Sequence, residues 1–113
     1  MDGVHIKLTT PVEAFGTIYN ELTLRQPKGG LYARLGEPRI VIANREGGIY
    51  AVEQPQVIKA YLEALVGVPN EDKLDNAVQF IILNEMTLED AARLKLALFS
   101  FFDKAVAKAT AGQ

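Results

Sequence analysis

The chain has 113 residues, a formal net charge of −2 and no cysteine. This length predicts one domain, residues 1–113, that can bury a core without disulfides or metal ions. The charge balance leaves no basic surface for nucleic acid, and neither a signal peptide nor the roughly 20-residue apolar run of a membrane span is found.

The first 25 residues predict a β-hairpin. Alternation of apolar and polar residues from Val4 to Leu8 is typical of a half-buried strand. Pro11 ends or offsets this strand, and Gly16-Thr17 is expected to turn the chain into a second one. The buried face is predicted to contain Val4, Ile6, Leu8, Ile18, Leu22 and Leu24.

A short helical turn and a second hairpin follow. Residues 31–35 predict the helical turn, closed at Gly36. Two β-branched runs, residues 39–43 and 49–53, are separated by a five-residue loop that contains a glycine pair. This spacing predicts the second hairpin, which completes a β-rich half over residues 4–53.

The other half, residues 54–108, is predicted to be helical. Pro55 begins a helix over residues 56–66, with Gly67 as its C-cap. Asn70 is the expected N-cap of a second helix that runs through Leu74 to Ile81. Residues 78–83, VQFIIL, also suit a strand by composition, and the cap favours the helix.

The last helix is predicted over residues 88–108. Thr87 is its N-cap, and acidic residues occupy the first turn, where the helix dipole favours negative charge. Apolar residues fill about half of its circumference, more than the roughly 100° stripe of a surface helix. The order predicts an α+β fold, with N-terminal β-hairpins in an antiparallel sheet followed by a three-helix C-terminal part.

No residue pattern indicates catalysis. His5 is the only histidine and lies on a predicted strand, where a surface role is the ordinary one. The acidic residues Glu71, Asp72 and Asp75 lack the spacing of a calcium loop and fit a helical first turn. Neither glycine pair belongs to a phosphate-binding motif. The sequence therefore predicts a protein that is not an enzyme and needs no cofactor or metal.

The surplus apolar surface of the helices leaves two interpretations open. The hairpins and helices cover all of it, or part of it binds an apolar or helical partner or a second copy of the chain. Lys95 interrupts the apolar face of the last helix, which favours a face that is not wholly buried. The candidate partner-binding residues are Leu94, Lys95, Leu98, Phe99, Phe101 and Phe102 on this helix, with Tyr61 and Leu65 on its neighbour.

Four segments together resemble a known family. They are IKLTTPV at residues 6–12, ELTLRQPKGG at 21–30, YLEALVGVP at 61–69, and the last helix, with an early aspartate at Asp90 and a late aromatic pair. In this order and spacing they resemble the small tail assembly chaperones of Mu-like and P2-like contractile-tailed phages.

This resemblance implies a non-enzymatic protein of a bacteriophage or prophage. Such chaperones bind the largely helical tape-measure protein, among other tail proteins, in the host cytoplasm during virion morphogenesis and leave before the tail is complete. The alternative is a structural tail component, such as an adaptor or baseplate subunit, whose hairpins pair across subunits.

Overall fold

The computed structural model describes residues 3–71 and 73–111 and has the expected α+β class. The strands are β1 (Gly3–Ala14), β2 (Thr17–Arg25), β3 (Arg39–Ala43), β4 (Ile49–Glu53) and β5 (Val66–Gly67). The helices are α1 (Gly29–Leu35), α2 (Pro55–Leu65), α3 (Asn76–Glu85) and α4 (Leu88–Ala111). Strands β1, β2 and β5 form one antiparallel sheet in the order β1-β2-β5, whereas β3 and β4 form a separate two-stranded sheet.

The helix count differs from the expected three. The described residues contain four helices, because the turn after β2 extends into the two-turn helix α1 between the hairpins. Its end is as predicted, since the Gly36 N–H donates to the Tyr32 carbonyl, and Gly36 has a φ of 78°. A positive φ is a conformation that glycine adopts without steric cost.

The turn of the first hairpin lies one residue earlier than expected. Ala14 already pairs with Thr17, so the two turn residues are Phe15 and Gly16 rather than Gly16 and Thr17. Both have positive φ, 51° for Phe15 and 82° for Gly16, as a type I′ turn requires. Phe15 is therefore a bulky residue in a region that normally selects glycine or asparagine.

A β-bulge in β1 reverses the faces of the hairpin. Lys7 pairs with Glu21, but the next pair is Val12 with Tyr19, so residues 8–11 lie opposite Asn20 alone. The excess of three residues in β1 is an odd number, and neighbouring strand residues point to opposite faces. In β2, the residues before Asn20 therefore face the core in the opposite alternation to those after it. The prediction that Ile18 is buried is consequently wrong, and Tyr19 packs against the core in its place.

The end of α2 corrects the predicted C-cap. Gly67 does not cap the helix, because α2 ends at Leu65 and Val66–Gly67 joins the free edge of β2 as β5. The buried amide of Gln79 on α3 fixes this junction by donating to the carbonyls of Glu63 at 2.9 Å and Val66 at 3.0 Å. Helix α2 therefore ends where the chain begins to pair with β2.

Helix α3 begins later than predicted. Asp75, not Asn70, is the N-cap, and its carboxylate accepts from the Ala77 N–H at 3.0 Å. Asn70 instead lies in a turn closed by the pairing of Val68 with Glu71, and Asp72 lies outside the described residues. The segment VQFIIL is helical, as favoured over a strand.

Helix α4 packs across the sheet and closes the core. Its predicted N-cap is confirmed, since the Thr87 hydroxyl accepts from the Asp90 N–H at 3.1 Å. The buried core draws on β1, β2, β5 and the three longer helices, together with Leu74 before α3. Its residues are Ile6, Leu8, Val12, Leu22, Leu24, Ile58, Tyr61, Leu65, Val66, Leu74, Ile82, Leu94, Leu98 and Phe99.

Candidate partner-binding surfaces

Most of the predicted partner-binding residues lie inside the domain. The buried ones are Leu94, Leu98 and Phe99 on α4 and Tyr61 and Leu65 on α2. These side chains seal the helices against the sheet, and all five belong to the core in this conformation. At these residues, the fold itself covers the apolar face of the helices.

The aromatic pair on α4 is half-buried. The Phe102 ring packs edge-on against Tyr61, with ring centroids 5.3 Å apart, and lies 5.8 Å from the Tyr32 ring of α1. The Tyr61 hydroxyl donates to the Gly36 carbonyl at 2.6 Å, and burial raises the pKa of Tyr61. Phe101 likewise packs at the margin of the core. This cluster joins α1, α2 and α4 rather than presenting a free aromatic surface.

Lys95 belongs to an attachment between α4 and the second hairpin. Its ammonium group lies 3.0 Å from the Glu53 carboxylate at the end of β4, and its side chain is 35% exposed. At the other root of the hairpin, Arg39 pairs with Asp103 at 2.8 Å and covers the Phe99 ring at 4.5 Å. The two ion pairs hold both strand ends against one helix.

Between these roots the second hairpin, residues 39–53, is exposed; we call it the arm. Cross-strand partners point to the same face, so Ile40, Ile42, Tyr50 and Val52 form one face, and Val41, Ala43, Ile49 and Ala51 form the other. Both faces are apolar. Val41 and Ile49 are 67% and 72% exposed, respectively, and Ile40, Ile42 and Tyr50 are exposed as well.

This composition is unusual for an exposed hairpin. An antiparallel sheet with one face in water normally alternates polar and apolar residues, and continuous apolar runs are typical of strands covered on both faces. A two-stranded sheet is marginally stable by itself in water. The missing polar alternation in residues 40–43 and 49–52 is the signal in the sequence for an apolar surface on this hairpin, and the list of predicted contact residues does not include it.

A groove of about 820 Å³ separates α2, α3 and the first half of α4. Its apolar lining residues are Ile58, Leu62, Phe80, Leu83, Met86, Ala91 and Leu94. Its rim is polar and carries both signs of charge, with Glu53, Lys59, Glu63 and Lys95. Phe80 projects at the margin and is 65% exposed, although it is a large aromatic residue.

This groove is the described surface that best suits a helical partner. An amphipathic helix binds by placing apolar side chains, spaced three or four residues apart, into an apolar groove while its polar face stays in water. Lys95 is the one predicted contact residue that reaches this rim with an accessible charged group. Sequence reasoning identified the helices that form the groove but missed Phe80 and Leu83.

A buried carboxylate joins the start of α4 to the bulge in β1. Both oxygens of Asp90 accept from the Thr9 N–H, at 3.1 and 2.9 Å, and one also accepts from the Thr9 hydroxyl at 3.1 Å. Arg93 donates to Asp90 at 3.0 Å and to the Lys7 carbonyl at 2.7 Å. The bulge removes Thr9 from the strand ladder, and Asp90 accepts the hydrogen bond that Thr9 would otherwise lack.

These contacts determine the charge state of Asp90. Burial is the largest single influence and by itself raises the pKa of this carboxyl group. The hydrogen bonds from Thr9, Thr87 and Arg93 together outweigh it and hold the pKa of Asp90 below its ordinary value. We interpret this buried group as structural, because every contact it makes is to a neighbouring element of the fold.

The remaining polar groups form no metal-binding cluster within residues 3–71 and 73–111. His5 lies 2.8 Å from the Glu21 carboxylate on the exposed surface of the first hairpin. In the same described parts of the chain, no helix is both long and apolar enough to cross a membrane. Comparison with family models, curated proteins and solved structures finds no match to this chain.

Proposed function

We propose that this protein is a non-enzymatic phage or prophage tail assembly chaperone that binds a helical segment of the tape-measure protein. The groove between α2, α3 and α4 carries the proposal, together with the four sequence segments that resemble this family. A chaperone of this kind holds an aggregation-prone helix until the tail tube encloses it.

The chemistry of the groove fits such a client. The apolar lining covers the hydrophobic face of a helix, and charges of both signs on the rim contact its polar face. The floor side chains Leu62, Leu83 and Met86 are only partly buried, so they offer contact area without unfolding of the core. Several copies bound along one long client would add avidity to weak single contacts.

Co-expression with overlapping fragments of the cognate tape-measure protein tests this role. The expected result is that at least one helical fragment becomes soluble and co-purifies with the chain. Phe80→Asp should reduce this binding at least tenfold, because it places a charge at the margin of the apolar lining.

The matched control is Leu96→Asp on α4. Leu96 is 62% exposed, close to the value for Phe80, but it lies outside the groove. Leu96→Asp should bind the fragment as the unchanged chain does. The proposal fails if no fragment co-purifies, or if both variants reduce binding equally.

The arm favours a second candidate, a structural tail component such as an adaptor or baseplate subunit. Apolar strands with open edges suit permanent pairing between the subunits of a particle. Mass spectrometry of purified particles separates the two functions, because a chaperone is absent from them and a structural subunit is present in fixed copy number.

A further inference from the structure

The outer edge of β3 is an unpaired strand edge whose hydrogen-bonding groups can be assigned. The Asn44 N–H donates to Gly48, and the Gln54 N–H donates to Pro38, so the even-numbered residues of β3 bond inward to β4. Hydrogen-bonded and non-bonded pairs alternate in an antiparallel ladder. The N–H and C=O groups of residues 39, 41 and 43 therefore point away from β4.

No third strand pairs with this edge within the described parts of the chain. Instead, an open groove of about 510 Å³ lies on the β3 side of the arm. It is lined by β3 and the residues before it and by Phe99, Phe102 and Val106 of α4, and no β4 residue lines it. The groove gives room beside β3, and its apolar wall suits the side chains of an additional strand.

Strand β3 is complementary to itself when two copies run antiparallel. Centring the pair on Val41 places residue 39 opposite 43 and aligns all the outward backbone groups. Ile40 then lies opposite Ile42 of the other copy on one face, and the two Val41 side chains meet on the other face. A two-fold interface uses the same surface of both subunits, so it requires a surface that is complementary to itself. Apolar β-branched pairs across strands are favourable.

Charges outside the strand agree with this register. Arg45 is the first residue of the turn after β3, and in this register it comes to the end of the pair at which Glu37 of the other copy lies, so opposite charges are near each other at both ends. The outer edge of β4 does not border the groove beside β3, because no β4 residue lines it. The β3 edge is therefore the better site for pairing.

We propose that the arm is a self-association element, in which β3 of one copy pairs antiparallel with β3 of a second copy, centred on Val41. The two hairpins become a four-stranded sheet shared by both subunits. This gives partners to the outward N–H and C=O groups of β3 and brings apolar side chains of the two copies into contact across the strands. It does not depend on the tape-measure client, since the groove between α2, α3 and α4 is a separate surface.

Single cysteines test the register, because the chain contains none of its own. Two Val41→Cys residues would face each other with Cα atoms about 5.5 Å apart, a separation that permits a disulfide. Under mild oxidation most of the Val41→Cys chain should migrate as a cross-linked dimer. Ile49→Cys, equally exposed but on β4, should stay mostly monomeric on a denaturing gel.

Sedimentation equilibrium tests the association itself. The unchanged chain should approach twice its mass of 12.4 kDa at micromolar concentration. Val41→Lys places two like charges together at the axis and should raise the dimer Kd at least tenfold, whereas Ile49→Lys should leave it nearly unchanged. A chain that is monomeric up to about 100 µM, in the range of weak association, overturns the proposal. Equal cross-linking of both cysteine variants, or equal loss of dimer with both lysine variants, overturns the β3 pairing.

Discussion

The bulge in β1 and the arm both contain strand backbone groups that no neighbouring strand pairs with, but only those at the bulge find another partner within the described parts of the chain. Each has strand backbone groups without a partner in the ladder. At the bulge, the Thr9 N–H binds the buried Asp90 carboxylate, and the junction is closed within one chain. In the arm, the edge of β3 and both apolar faces are left open. The first region is therefore closed within one chain, whereas the proposed pairing of two copies would close the edge of the second.

Among changes at the bulge, the turns and the arm, removal of the Asp90 carboxylate should lower the stability most. Asp90→Ala removes the charged acceptor shared by the Thr9 N–H, the Thr9 hydroxyl and Arg93, and is expected to lower the free energy of unfolding by about 2–4 kcal/mol. Urea denaturation measures this. Glu89→Ala, an exposed change in the same helical turn, should cost less than about 1 kcal/mol. Equal losses for the two variants would mean that Asp90 acts only through the helix dipole.

A fall in pH should weaken the contact between Asp90 and Thr9, with the second largest effect on stability. The folded-state pKa of Asp90 lies below its ordinary value of 3.8, so its contribution to stability is complete above that value. It is lost as the pH falls through the lower folded-state pKa. Unfolding free energies measured from pH 6 to pH 2 should decline less steeply in this acid range for Asp90→Asn than for the unchanged chain. An identical slope would contradict the ionised state of Asp90.

The turns of the two hairpins provide a smaller contrast. The arm places glycine, Gly47, at its φ of 83°, whereas the main sheet places Phe15 at 51°. Phe15→Gly should therefore raise the free energy of unfolding by up to about 1 kcal/mol, because the strained conformation becomes an ordinary one. Gly47→Ala should lower it by a similar amount. Thermal denaturation of the pair checks both signs, and a destabilised Phe15→Gly variant would indicate that the Phe15 ring makes a stabilising contact.

The arm itself should have the smallest effect on the stability of the monomer. Val41→Thr and Ile49→Thr change exposed side chains and are each expected to shift the unfolding free energy by less than about 0.5 kcal/mol, measured at dilution. Leu24→Ala in the core should cost about 2–5 kcal/mol. A large loss from the arm variants would show that the arm supports the domain and would remove the contrast with the bulge.

Local patterns were sufficient to predict most elements. Alternation and turn residues placed both hairpins, and the bounds of β3 and β4 agree with the predicted runs. Pro55 and Thr87 located the starts of α2 and α4 because capping is a short-range interaction. The prediction of Gly67 as a C-cap is wrong because Gly67 pairs with β2, a strand that lies far away in the sequence.

The surfaces were harder to predict than the elements. Helical periodicity shows which side of α4 is apolar but not what covers it, and Leu94, Leu98 and Phe99 on that side prove to be core residues. Alternation with Leu22 and Leu24 places Ile18 in the core. This prediction is wrong because the bulge that reverses the faces of β2 lies in β1 and leaves no signal in the sequence of β2. Asp90 was interpreted as a first-turn acid, and only the tertiary structure brings Thr9 to it.

The contact between Asp90 and Thr9 also has a consequence for the order of folding. It joins residues 81 positions apart in a chain of 113. During synthesis the first hairpin leaves the ribosome long before α4 exists, so its bulge stays without the hydrogen bonds that Asp90 supplies. The β1–β2 sheet therefore reaches its final form only after translation of the last helix, and a chain cut before residue 90 leaves that hairpin incomplete.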